Sequence, residues 1–338
     1  MTVDIEMCKD GEYWDELVGR SPHGSIFHTW SWLKIVEKHT SSKLYPIIGF
    51  KGSTPIGLYP IFLKKRSFIK MVFSPPPYTA VPYLGPALVD YDKLKEDKKL
   101  ANLRDYHRTV DDFIFSELKA GFALINLHRS LLDCRPFKWT GYRLYPIFHY
   151  TLDLSRGLDE VWAGFKKEFR ENVKKTKKKG ITFEEGSYDD LKYIYRSIIR
   201  IYEQQDKKVY ISENYLKDLY KTFSSESLKI FVARYRREPI QGIVTLCYDR
   251  TVQFWIGGAK TNIKGVYPNE FLHWEVMRWA HDNGFKLFEE FGAGTERLAI
   301  FKSKYNPNLN VCFQAKKSGL IFRLYERAYA MFRNWVKI

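Results

Sequence analysis

The chain has 338 residues, 45% of them hydrophobic and 17% aromatic, with 55 Lys and Arg against 39 Asp and Glu for a formal net charge of +16. That length is more than one core usually serves and suits two α/β domains, and the cationic excess points to an anionic partner such as nucleic acid, phosphate or acidic lipid. Cys8, Cys134, Cys247 and Cys312 are far apart with no C-x-x-C pair, so neither a disulfide framework nor a zinc site is suggested and a reducing, cytoplasmic setting fits best.

Residues 11–40 are predicted helical, ahead of a strand LYPIIGF at 44–50 and a hairpin turned through Pro55 and Gly57. Five prolines within 75–86 then exclude a regular helix or central strand, leaving an extended aromatic-studded loop that either lines a cleft or lies over the first sheet. A charged, then apolar, helical stretch covers 91–119, and AGFALINLHR at 120–129 closes a helix on Gly121 and enters a buried strand. A domain boundary is expected within 135–155.

Ser155 offers a cap to a helix reading LDEVWAGFKKEFRENVKKTKKKG. On it Trp162, Phe165, Phe169 and Val173 share one face, with Lys167, Arg170, Lys174, Lys177 and Lys178 opposite. The basic face is either solvated or a phosphate-binding surface, for which Arg170 is the best single candidate because a guanidinium grips phosphate through two bonds. A strand ITFEEG, two amphipathic helices (the second capped by Ser212) and a three-strand run over 227–260 follow, then a helix entered at Pro268 and Asn269 and ended by Gly284. The chain then repeats itself. TPIGLYPIF at 54–62 returns as EPIQGIVTL at 238–246, and AGFALINLHR returns as NGFKLFEEFG at 283–292, so two related domains are implied.

TLDLSRGLDEVWAGFKKEFRENVKKTKKKGITFEEG resembles the opening of the second domain in the Fem family of peptidyl and aminoacyl transferases. FEEFGAGTERLAIFKSKYNP resembles the closing F-x-F-G-x-G and F-K-x-x-[FYW] segment of those proteins and of FemAB-like acetyltransferases. The resemblance implies an α/β (α+β) fold of two tandem GNAT-type acyltransferase domains, each a mixed central sheet flanked by helices. The expected division is 1–147, 148–318 with the active site, and an amphipathic helix at 319–338. It further implies acyl transfer to an amine with the acyl donor held where two parallel strands part, chemistry that needs a neutral amine, a proton acceptor and oxyanion donors, with no metal and no tightly bound cofactor.

By the same resemblance Lys302 matches the lysine of the F-K pair, near the reacting carbonyl, and Tyr305 the aromatic position three residues on. Glu289 and Glu290 alternate across one strand, so one of them faces the cleft as a candidate proton acceptor. Asn269 either presents its amide to the donor or caps its helix. The stretch GGAKTNIKGVYPNE lacks the R/Q-x-x-G-x-G/A loop with which acyl-CoA enzymes cradle a pyrophosphate, which favours an aminoacyl-tRNA donor while keeping acyl-CoA as the alternative.

The end, SGLIFRLYERAYAMFRNWVKI, gathers Ile321, Leu324, Tyr325, Ala328, Met331, Phe332 and Trp335 on one helical face with Arg323, Arg327, Arg333 and Lys337 opposite. It reads either as an interfacial helix or as one packed on the first domain. The N-terminus carries acids where a signal peptide would be basic, and no stretch approaches the roughly 18 apolar residues of a membrane span. The expected setting is therefore cytoplasmic, with peripheral contact at the inner face of the membrane as an option. The acceptor is an amine on a cell-envelope precursor, peptide or sugar, lipid-linked in one version. Two readings stand beside aminoacyl transfer: an acyl-CoA-dependent N-acetyltransferase of a small amine or amino sugar, and a catalytically silent module binding RNA or anionic lipid.

Overall fold

Each half of the chain lays down an antiparallel hairpin, a further strand, a helix and then a parallel strand, and the periodicities of the sequence account for most of the boundaries. The computed structural model describes residues 2–257, 263–319 and 322, so the expected helix at 319–338 lies outside the described residues except for its first position and Phe322. Two units separate, residues 1–147 with the chain from Cys312, and residues 148–311. The stretch expected as 148–318 is thus shared between them.

The first unit contains β1 (Asp4–Met7), α1 (Gly11–Gly19), α2 (Trp30–His39), β2 (Ser42–Lys51), β3 (Thr54–Arg66), β4 (Ile69–Ser74), β5 (Ala87–Leu88), α3 (Glu96–Asp112), β6 (Phe122–Asn126) and α4 (Arg135–Trp139). The helix expected over 11–40 is two helices, because Pro22 lacks the amide a continuing helix needs, and Gly24 N–H closes a turn onto Ser21 O at 2.9 Å. Tyr106 of α3 lies flat over β2 and β3. A Cβ on Gly49 would come within 2.4 Å of its ring and one on Gly57 within 2.7 Å, so only glycine permits this approach. Along β4 and β6 the strands run parallel from Met71–Phe122 to Ser74–Ile125. Beyond that point the proline-rich loop fills the space between them. Leu84 bridges to Leu127, Gly85 N–H donates to Ser74 Oγ at 3.0 Å, and Asn126 Nδ2 donates to Pro82 O at 3.1 Å. Val81, Tyr83 and Leu84 are buried, so of the two readings of this loop the structure shows the packed one.

The second unit is entered through β7 (Arg143–Asp153) and continues with α5 (Leu158–Gly164), α6 (Lys167–Lys178), β8 (Thr182–Glu185), α7 (Tyr188–Glu203), α8 (Glu213–Phe223), β9 (Leu228–Tyr235), β10 (Glu238–Tyr248), β11 (Thr251–Gly257), α9 (Pro268–Asp282), β12 (Leu287–Phe291) and α10 (Glu296–Lys302). Ser187 and Asp190 form a reciprocal capping box on α7, and Ser212 caps α8 by accepting from Tyr215 N–H at 3.1 Å. Ser155 is not a cap. Its N–H donates to Asp153 Oδ1 at 2.9 Å, and the left-handed Gly157 precedes α5 instead. The single helix expected from Ser155 is also broken. Phe165 is extended, Lys166 N–H donates to Lys304 O at 2.8 Å, and the Phe165 ring packs beside Phe169 and Trp274 at centroid distances of 5.0 and 5.5 Å. Burying that ring offsets the lost helical bonds.

The last strand, β13 (Asn308–Ser318), pairs antiparallel with β6 through Gln314–Ser318, while β7 pairs antiparallel with β12 through His149–Asp153. The strand orders are therefore β1-β2-β3-β4-β6-β13 in the first unit and β8-β9-β10-β11-β12-β7 in the second. The duplication extends to the sixth strand, and each half contributes that strand to the other copy. One apolar core fills each unit, around Tyr59, Tyr106 and Ile125 in the first and Phe169, Leu272 and Phe288 in the second.

Candidate active site in the second unit

β11 and β12 run parallel and in register from Thr251–Leu287 to Phe254–Glu290. There β11 bulges. Phe254 pairs with Thr245 of β10 and Ile256 with Val244, which leaves Trp255 as the extra residue and turns β11 away from its parallel neighbour. The opening between the two strands thus begins beside Glu290.

Three side chains converge on Glu290. Lys302 Nζ lies 3.1 Å from Oε1, Tyr305 donates its hydroxyl to Oε2, and His273 Nε2 stands 3.5 Å from Oε1. Lys302 also donates to Phe291 O, and His273 Nδ1 donates to Asn269 O at 2.7 Å. Glu290, Lys302 and Tyr305 are buried, at 4%, 4% and 1% exposure. The local chain explains the convergence. α10 tightens into a 3₁₀ turn at Ser303–Tyr305, so residues 302 and 305 fall on one side, and Asn306 in the left-handed region ends the turn. Gly292, with φ +90°, lets β12 turn away at this point, and a Cβ there would stand 3.4 Å from Lys302 Nζ.

Burial alone would push the Glu290 carboxyl up. The charge and hydrogen bond of His273, the Lys302 ammonium and the Tyr305 hydroxyl overcome it and hold Glu290 at about 2. Burial, reinforced by the neighbouring Glu290, pushes the Tyr305 phenol well above its ordinary value. At neutral pH the site is therefore a carboxylate clamped by a phenol and a cation. A carboxylate held that low is a poor proton acceptor, and here it pairs with the Lys302 ammonium.

The other sequence candidates fall into different places. Glu289 points to the opposite face of β12, where it is buried with His149 Nε2 3.6 Å away and the His149 ring stacked on Phe291. Asn269 is not the cap of α9, a position held by Tyr267; it lies inside the first turn, accepts from Gln241 Nε2 and joins the cluster through His273. Arg170 turns back to donate to Ala163 O at 3.1 Å and braces the corner between α5 and α6, while Lys174, Lys177 and Lys178 are exposed. The inner face of α6 is tied to the start of α9, since Asn172 Nδ2 donates to Glu270 Oε1 at 3.2 Å and Tyr267 N–H donates to Thr176 Oγ1 at 2.8 Å. Lys179 at the end of α6 passes 3.8 Å from where a Cβ of Gly265 would stand. The basic helix is thereby fixed beside the N-terminus of α9.

His273 is the member that sequence reasoning missed, because a histidine within an amphipathic helix has no spacing signal; its only trace is a position four residues after Asn269. Among the described residues the first unit has no counterpart of the cluster at the equivalent positions; its buried Asp111 pairs elsewhere, with Lys317. Setting Gly121 against Gly284 places Val110 and Leu127, both core residues, where His273 and Glu290 stand in the second. Among the described residues no group of His, Cys, Asp and Glu is arranged to hold a metal ion, and no helix is long and apolar enough to cross a membrane.

Residues 163–303 match the family model of the acetyltransferase (GNAT) domain. The chain is similar to the crystal structure of FemX, with a TM-score of 0.71 at 14% identity over 96% of this chain and 99% of that one. It is also similar to the C-terminal domain of a putative lysylphosphatidylglycerol synthetase from Agrobacterium fabrum, with a TM-score of 0.57 at 12% identity over 97% and 96%. A tandem GNAT protein from the clavulanic acid biosynthesis pathway gives a TM-score of 0.55 at 11% identity over 93% and 98%. Comparison with curated sequences returns no match. The fold is a tandem GNAT fold of the FemAB-like kind, and the domain match supports an acyltransferase.

Proposed function

We propose that the protein transfers an aminoacyl group from aminoacyl-tRNA to an amine of a cell-envelope precursor, peptide or sugar, and that Lys302 stabilises the oxyanion. The observation carrying this reading is the buried ammonium of Lys302, held between Glu290 and the carbonyl of Phe291 where β11 and β12 part. The acceptor nitrogen forms a bond to the donor's carbonyl carbon while the carbonyl π electrons move to oxygen. That oxygen gathers negative charge beside a cation already fixed in place. Collapse expels the donor's ribose oxygen, which leaves with the proton lost by the amine. One preorganised oxyanion donor contributes about 2.7–4 kcal/mol and positioning about 7–11 kcal/mol, so the reaction needs no nucleophilic side chain.

An aminoacyl-tRNA donor is favoured by the exposed lysines of α6 beside the start of α9, and by a sequence before α9 without the paired glycines of a pyrophosphate cradle. Asn269, Arg170, Lys174 and Glu289 are then proposed to shape donor and acceptor contacts around the cluster, Arg170 by holding α6 and Glu289 from the far face of β12. A lipid-linked acceptor agrees with the neighbour titled a putative lysylphosphatidylglycerol synthetase. Acyl-CoA remains the alternative donor, one structural neighbour being titled with reference to AcCoA.

The test is mass spectrometry of the protein after incubation with charged tRNA and with acyl-CoA pools, together with an acceptor amine. An aminoacyl adduct of the acceptor is expected. An acetylated acceptor alone would replace this reading with acetyl transfer, and retention of RNA without any transfer would make the protein a binding module.

A further inference from the structure

The β3–β4 hairpin of the first unit ends in a two-residue turn, Ser67–Phe68, closed by the pair Arg66 and Ile69. Phe68 at its apex is 84% exposed, the most exposed large hydrophobic residue described. Lys65 and Arg66 are exposed beside it, Lys64 is half-buried, and Lys119 is exposed in the adjoining loop. Lys65 stands directly opposite Lys70 on the ladder; the Lys70 ammonium turns away to donate to Leu118 O at 3.0 Å, leaving Lys65 exposed at the tip. Lys64, Lys65 and Arg66 form no ion pair among the described residues. The same end of the sheet is where the C-terminal segment departs, since Gly121 N–H donates to Lys70 O at 2.9 Å, Gly319 N–H donates to Gly121 O at 2.9 Å, and the Phe322 ring stacks on Phe122 at 4.6 Å. Beyond it the sequence supplies Arg323, Arg327, Arg333 and Lys337 among apolar residues.

We infer that the Ser67–Phe68 hairpin tip docks this protein on an anionic phospholipid bilayer, with Phe68 entering the acyl boundary and Lys64, Lys65, Arg66 and Lys119 meeting the headgroups. An apolar apex ringed by cations is complementary to a surface that is charged outside and apolar just beneath. A nucleic acid fits it less well, because the ring projects past the last ladder pair and, among the described residues, no wall stands against which a base would be sandwiched, whereas an acyl interior requires none. The inference stands apart from the transfer reaction, since it concerns a surface of the other unit. Where the acceptor is lipid-linked, such docking delivers the enzyme to it.

The experiment is flotation of the full chain with phosphatidylglycerol-containing vesicles and with pure phosphatidylcholine vesicles, alongside Phe68→Ser and Lys65→Gln/Arg66→Gln. Both sites are exposed, so the variants keep the fold, which circular dichroism and the unfolding midpoint verify. The expected result is selective partition onto anionic vesicles, weakened at least ten-fold by Phe68→Ser and about five-fold for each cation removed. Equal partition of the wild type and Phe68→Ser, or equal partition onto the two vesicle types, would overturn the inference. So would a Phe68→Ser protein that loses tRNA binding and keeps vesicle binding, which would mark the tip as an RNA contact.

Discussion

Lys302 Nζ and Glu290 Oε1 are buried 3.1 Å apart, so removing either group strands the other in a poorly solvated place. Lys302→Met is therefore expected to cost about 3–5 kcal/mol of stability besides its effect on catalysis. Pairing it with Glu290→Gln should recover more than half of that loss, as read from urea midpoints. Transfer activity should stay depressed by about 10²–10³-fold in both proteins, because the oxyanion partner is gone in each. A double variant with wild-type turnover would remove Lys302 from the reaction.

The low value of Glu290 ties this cluster to acid sensitivity. Its carboxyl is held at about 2 in the folded state against an ordinary 4.5, so the stability it contributes is fully present above about pH 4.5 and is lost as pH falls towards 2. The size is on the order of 3 kcal/mol. Unfolding free energy measured between pH 6 and 2 should fall more steeply for the wild type than for Glu290→Gln. Parallel curves would show that the carboxylate is not clamped.

A second acid response belongs to the first unit. Burial lowers His23 to about 4 and His28 to about 3, and both rings lie about 6.5 Å or less from that of His128. His28 also faces Ser25 Oγ at 2.9 Å and the backbone of Leu84 and Gly85, while His23 faces Tyr91 and accepts from Leu88 N–H. The fold holds these imidazoles neutral, so their contribution is complete above the ordinary 6.5 and declines as pH drops through about 4 and then 3. His23→Gln/His28→Gln should flatten the stability profile in that window. An unchanged slope would show that neither ring titrates with unfolding.

The exposed lysines of α6 lead to a prediction about donor binding. Lys174→Gln/Lys177→Gln/Lys178→Gln should weaken tRNA binding and make the plot of log K against log salt shallower by about 2, since each phosphate contact contributes about 0.7–0.9 to the slope. Fluorescence anisotropy between 50 and 200 mM salt, roughly the range over which such effects are large, measures both. Identical slopes would leave the helix face merely solvated.

Much of this architecture is written plainly in the chain. The two hairpins and the helix stop at Gly284 are legible, and the F-K pair identifies Lys302, but the turns themselves fall at Gly52–Ser53 and Arg236–Arg237; Pro55, Gly57, Pro239 and Gly242, expected in the turns, lie inside β3 and β10, and the left-handed residue after α3 is Lys119 and not Gly121. Failures occurred where distant contacts decide. Phe165 leaves its helix to reach Trp274, more than a hundred residues away, and Ser155 is drawn to Asp153 rather than to a helix N-terminus. Arg170 faces the carbonyl of Ala163, seven residues back across the break between α5 and α6, which composition cannot reveal. His273 became recognisable only once the face of β12 carrying Glu290 was known. Which of Glu289 and Glu290 meets the cluster likewise depended on register and not on residue type.

The crossing of β7 and β13 sets an order of events during synthesis. While the ribosome is still building the second half, β6 has no partner on the side that Gln314–Ser318 will occupy. The N-terminal half therefore emerges with an unprotected edge, open to mispairing until Gln314–Ser318 have been released. A nascent chain stalled before Cys312 should be captured by chaperones far more than one extended past Ser318, and a protein cut between the halves should fail to yield two independently stable pieces.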